Sequence, residues 1–128
     1  MIEIKFKGKR TDNGEWVYGG YYSPRTDGYS THQTFIIVTE ELGDVLSLED
    51  KEVIPETVGQ FTGLQDKNGK DIYEGDVTKW IDEKETRTGI MMWDNHSYGF
   101  RIQMPQGYHP SFKLLSKHME ITGNIHDK

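Results

Sequence analysis

The amino-acid sequence predicts a mainly β protein with little helix, and three observations carry that prediction. Several short segments alternate apolar and polar residues at a period of two, as strands with one wet face do. Asn-Gly and Gly-rich turn signals punctuate them at roughly ten-residue spacing in the second half, which suggests a small barrel or sandwich. No stretch carries the 3.6-residue apolar repeat of a long amphipathic helix. Composition agrees: 14 Gly with 12% aromatic residues supplies tight turns and half-buried pleated faces.

The opening segment places Ile2, Ile4 and Phe6 on one face and Glu3, Lys5 and Lys7 on the other. Thr11-Asp12-Asn13-Gly14 then predicts a hairpin, because Asn and Gly both tolerate positive φ. Trp16-Val17-Tyr18 and Tyr21-Tyr22 form the return strand, with a bulge or bend at Gly19-Gly20. Residues 23–32 read as loop, and Thr34 to Val38 as a buried strand. The acidic stretch from Glu40 to Glu52 fits a short helix or a loop with a solvated face.

Val53 to Pro55 and Thr57 to Thr62 are two extended pieces, followed by a second turn at Asp66-Lys67-Asn68-Gly69-Lys70. Asp71 to Val77 leads into a strand running to about Ile81, and Asp82 to Glu85 is a polar turn. Thr86 to Trp93 is the next strand. Phe100, Ile102 and Met104 alternate with Arg101 and Gln103 in another. Pro105 to Pro110 breaks the chain, Phe112 to Lys117 allows one helical turn, and Met119 to Ile125 closes with a short strand.

With 128 residues the chain fits one domain able to bury roughly two-thirds of its unfolded surface. There is no Cys, which removes disulfides, thiolate zinc sites and thiol nucleophiles together. The opening residues lack the apolar run of a signal peptide, and the longest apolar run, Phe35 to Val38, is far too short to span a membrane. The cytoplasm is the expected location. The net charge of −6 favours basic partners and counts against phosphate backbones.

The stretch from Val53 to Val77, VIPETVGQFTGLQDKNGKDIYEGDV, closely resembles the hallmark segment of the YopX family of phage and prophage proteins. Lys5 to Arg10 with Asn13 to Gly19 resembles the family's opening, and Glu120 to His126 its close. The resemblance implies a C-terminal part similar to an SH3-type barrel. Two local features agree with it: Gly75 permits the bend before the strand, and a helical turn precedes the last strand. The expected organisation is an N-terminal hairpin region over 1–52 with a variable acidic loop. A barrel over 53–128 follows, the two packed as one compact unit. The resemblance lends no catalytic residue.

Candidate sites are few. Asp66 to Asp71 departs from the EF-hand pattern, since Lys70 and Asp71 stand where an oxygen ligand and Gly belong. Glu74 and Asp76 share a strand face, where paired carboxylates either hold a metal or close the local turn. His32, His96, His109, His118 and His126 show no metal-ligand spacing. Lys5, Lys7 and Lys9 make the one basic stripe, which serves a ligand or guards a strand edge. Trp80, Trp93, Tyr98 and Tyr108 fall in the barrel half, where most aromatics fill the core.

The sequence therefore carries no catalytic constellation and implies no metal or cofactor. The expected function is a non-enzymatic protein–protein module, with self-association as a further expectation. The alternative is a nucleic-acid module using Lys5, Lys7, Lys9 and the barrel aromatics. A metal-dependent enzyme at Glu74 and Asp76 is the remaining reading.

Overall fold

A computed structural model describes residues 4–23, 33–43, 45–94, 99–104, 107–109 and 116–127. Among these residues the chain is mainly β, with eleven antiparallel strands and helix confined to two 3₁₀ turns, Pro55–Thr57 and Ser116–His118. It divides into two compact units, Glu3–Gln60 and Phe61–Lys128. That boundary lies later than the break expected after residue 52, because the backbone just beyond Val53 still bonds to the first strand.

The first unit holds β1 (Phe6–Lys9), β2 (Trp16–Tyr22), β3 (Thr34–Leu42), β4 (Val45–Val53) and the start of β5 (Gly59–Gln65). Their order is β4-β3-β2-β1-β5. The Thr11–Gly14 turn forms as its Asn-Gly pair predicts: Gly14 has φ +73°, and Gly14 N–H donates to the Arg10 carbonyl at 3.0 Å. Ile4, expected in the first strand, precedes it and is exposed.

The bend at Gly19-Gly20 is where β2 changes partner. Gly19 opposes Phe6 of β1, and Gly20 opposes Ile37 of β3. A side chain at Gly19 would meet the Ile37 carbonyl oxygen at 1.9 Å, so the close backbone approach requires glycine. Residues directly opposite share a face, so Gly8, Ile36 and Val53 lie on the inner one. Ile36 and Val53 are buried there, and a Cβ on Gly8 would press on Val53.

The acidic stretch from 40 to 52 is neither helix nor loop. It is the end of the first strand and the second strand of a long hairpin, paired from Thr34↔Val53 to Leu42↔Val45, with Gly43 at φ +64°. Its charges hid a strand, since Leu46 and Leu48 alternate with Ser47 and Glu49. At the far end the chain turns back on β1. Ile54 N–H donates to the Lys9 carbonyl at 2.8 Å, and Lys9 N–H donates to Thr57 Oγ1 at 2.9 Å.

The second unit holds the rest of β5, β6 (Asp71–Tyr73), β7 (Asp76–Asp82), β8 (Glu85–Asp94), β9 (Gly99–Met104), β10 (Gly107–His109) and β11 (Glu120–Asn124). Phe61 of β5 pairs with Tyr73 of β6. The other five form a sheet in the order β10-β9-β8-β7-β11. Among the described residues this sheet is open, with β10 and β11 as its edges, and the SH3-like closure expected for this half is not seen there. The turn before β11 is Ser116–His118; residues 112–115 lie outside the described ones.

Ile72, Trp80, Met91, Ile102 and Met119 make the core of this unit. Gly89 is required in β8, because a Cβ there would sit 2.2 Å from Ile102 Cγ2 and 3.4 Å from the Trp80 ring. The β7–β8 turn is built from Glu83 (φ +48°) and Lys84 (φ +71°), two non-glycine residues in left-handed conformation. No helix among the described residues is long and apolar enough to cross a membrane.

Candidate interaction surface

The hallmark segment contains the best-connected carboxylates of the described chain, and their partners define what they do. Asp66 is buried. Its Oδ1 accepts from the N–H groups of Asn68 (2.8 Å) and Lys70 (2.9 Å), and its Oδ2 accepts from Ile121 N–H at 3.0 Å. One carboxylate thus closes its own turn and ties it to β11. Burial pushes the Asp66 carboxyl up, but the N–H groups of Ile121, Lys70 and Asn68 outweigh it and hold the group below its ordinary range.

Asp76 works in the same way. Its Oδ2 accepts from Tyr73 N–H at 2.8 Å and its Oδ1 accepts from the Asn124 amide at 3.0 Å. Gly75 between them has φ +92°, donates to the Met91 carbonyl at 2.7 Å and accepts from Ile125 N–H at 2.9 Å. Asn124 Oδ1 in turn accepts from His126 N–H at 3.0 Å. Asp76 and Asn124 therefore tie the Glu74-Gly75 bend to the final strand. Among the described residues, no three of His, Asp or Glu are grouped as a metal site.

The basic stripe is not an open one. Lys7 is buried, with its ammonium 4.5 Å from the centroid of the Trp16 ring, and the Lys9 ammonium lies 5.7 Å from the same ring. Lys5 and Lys9 are half-buried. Lys7 sits on a strand with neighbours on both sides, β2 and β5, and its alkyl stem and charge are spent on a tryptophan face.

The aromatics of the second unit separate likewise. Trp80 is in the core at 3% exposure. Trp93 is 41% exposed and meets Phe100 edge-to-face at 5.2 Å. Tyr98 lies outside the described residues, and Tyr108 falls on β10 in a part where only the backbone is described. The lysines belong to one unit and these aromatics to the other.

The larger exposed apolar surface is one the sequence reading missed. On the outer face of the first unit, Tyr22 opposes Phe35 and their rings lie 5.7 Å apart. Ile37 follows on β3, and Leu48 stands opposite Thr39 on β4. Tyr18 and Tyr22 are exposed, and Leu46 and Leu48 are 60% and 62% exposed. The available signal was the i, i+2 spacing of Phe35 and Ile37 against Leu46 and Leu48, masked by the acids between them.

Fold and site together define a β-rich scaffold whose hallmark carboxylates bind backbone and whose exposed apolar residues lie elsewhere. The chain matches the family model described as YopX protein over residues 5–128, and it belongs to the YopX family. Among solved structures it is similar to the crystal structure of protein EF1440 from Enterococcus faecalis. That protein is 18% identical, with 98% of this chain and 95% of that chain covered and a TM-score of 0.61. At that identity the likeness shows the fold. No curated protein matches the chain.

Proposed function

We propose that the chain is a non-enzymatic protein–protein interaction module, a phage-derived accessory protein acting in the cytoplasm of a bacterial host. The observation that supports this is the outer face of the first unit, where Tyr18, Tyr22, Leu46 and Leu48 are exposed on one sheet surface. Contiguous exposed apolar surface is what an interaction site needs. The hallmark carboxylates argue in the same direction, because Asp66 and Asp76 spend their oxygens on hydrogen bonds that hold the fold. The nucleic-acid reading loses the middle of its cationic stripe to the Trp16 ring.

A tagged pull-down from bacterial lysate, with and without nuclease, tests the proposal. One protein retained stoichiometrically after nuclease supports it. Recovery only of nucleic acid, or of proteins that vanish with nuclease, overturns it.

A further inference from the structure

The hairpin of β3 and β4 combines three features that together specify what it would bind. The first is an unfinished sheet. β2 pairs with β3 only through Phe35, Ile36 and Ile37, whereas β3 and β4 continue together to Leu42↔Val45. Beyond Ile37 the hairpin is therefore a two-stranded ribbon among the described residues, a marginal arrangement in water without a third strand. Leu46 and Leu48 stand exposed on it.

The second feature is charge. Residues 34–53 contain six carboxylates (Glu40, Glu41, Asp44, Glu49, Asp50, Glu52) and one cation, Lys51. Five of the chain's six net negative charges thus belong to this one hairpin. A second copy laid arm to arm would bring two such charges together. A basic partner would neutralise them.

The third feature is an occupant already present at one end of the same edge. The outer side of β4 receives the chain's own Lys9-Arg10-Thr11 segment: Arg10 bridges to Val53, and Thr11 N–H donates to the Glu52 carbonyl at 3.1 Å. That segment is basic, and it is strand-like through Arg10 before the chain turns at Thr11. Glu49 is held below the usual carboxylate range, first by the Lys51 hydrogen bond and charge, with Arg10 adding attraction. From Val45 to Lys51 no other strand among the described residues pairs with this edge.

We infer that the outer edge of β4, from Val45 to Lys51, is a docking edge for an extended basic segment of a partner protein. The segment adds as a further strand beside Thr11, its main chain bonding to β4. Its apolar side chains cover Leu46 and Leu48 on one face, its Lys or Arg side chains meet Glu49 on the other, and Asp50 and Glu52 add longer-range attraction. This inference rests on the interaction-module reading and names the partner's chemistry.

The test uses the full chain and a synthetic peptide of about ten residues alternating Lys and Val, long enough to lie along one strand. An acidic twin alternating Glu and Val, and a twin N-methylated on alternate residues to remove its main-chain donors, serve as controls. The expected result is binding by the basic peptide alone, weakening about tenfold from low to physiological salt. Amide-exchange protection should appear at Val45 to Lys51. Glu49→Gln with Asp50→Asn should weaken binding about tenfold at an unchanged thermal midpoint. No binding by the Lys-Val peptide, equal binding by either twin, or protection elsewhere overturns the inference.

A parallel pull-down separates it from the reading beneath it. Leu46→Thr with Leu48→Thr keeps β-branched residues on the strand and should lose the partner that the wild type retains after nuclease. A partner captured equally by both chains refutes the edge and leaves the interaction module standing. A wild type that captures no nuclease-resistant protein overturns the module and the inference with it.

Discussion

The carboxylates of the two units make opposite use of the same chemistry. In the second unit, Asp66 and Asp76 are buried, and each ties two distant parts of the chain together through its oxygens, Asp66 through backbone N–H groups and Asp76 through Tyr73 N–H and the Asn124 amide. In the first, Glu49, Asp50 and Glu52 are exposed along β4, and Glu49 pairs with a neighbouring lysine at 2.8 Å on the surface. A buried carboxylate must be satisfied by fixed donors, and those donors become the fold's fasteners. An exposed one is satisfied by water, costs little to keep, and stays available to a partner. The surface proposed for interaction is therefore built from residues other than the carboxylates of the most recognisable motif.

The contrast can be broken most directly at Asp76. Asp76→Ala leaves the buried Tyr73 N–H and the Asn124 amide without that acceptor. It should lower unfolding stability by about 3 kcal/mol, measured by urea titration. A loss under about 1 kcal/mol would mean that the bend holds without its carboxylate.

Asp66 sharpens the same side through pH. Its folded-state pKa lies below the ordinary value, so its contribution is fully present above the unfolded pKa and is lost as pH falls through the folded one. Asp66→Asn should cost about 2 kcal/mol near neutrality and flatten the acid limb of the stability profile. An acid limb as steep as the wild type's would assign that pH dependence to other carboxylates.

The β7–β8 turn offers a smaller effect of opposite sign. Glu83 and Lys84 hold φ values that Asn and Gly adopt more readily. Glu83→Asn with Lys84→Gly should raise stability by about 0.5–1 kcal/mol, seen as a higher midpoint in thermal unfolding. The smallest effect belongs to the β3–β4 hairpin. Asp50→Asn with Glu52→Gln should change stability by less than about 0.5 kcal/mol. A larger loss would show that these carboxylates are fasteners too, and would erase the contrast.

How much of this was legible in the sequence depended on whether the cause was local. The two Asx-Gly turns were readable because the conformation resides in the residues themselves: Gly14 and Gly69 adopt φ +73° and +80°. The alternation of Phe100 to Met104 survives as β9, with Ile102 fully buried. The Lys5, Lys7 and Lys9 stripe misled, because periodicity assigns residues to a face and does not say what covers that face. Trp16 covers Lys7, and only pairing in the register Lys9↔Trp16 brings it there.

The sequence by itself determined the strand class, the hairpin turns, the absence of cysteine chemistry and the family resemblance. Each follows from short-range backbone preference or from residue identity. Tertiary structure alone decided that the acidic stretch forms a strand, that Asp66 reaches across 55 positions to Ile121 and that Asp76 reaches across 48 to Asn124. It also decided that β7, β8, β9, β10 and β11 join in one sheet, open among the described residues. Those outcomes depend on which distant backbone groups find each other, and no local pattern encodes a partner that far along the chain.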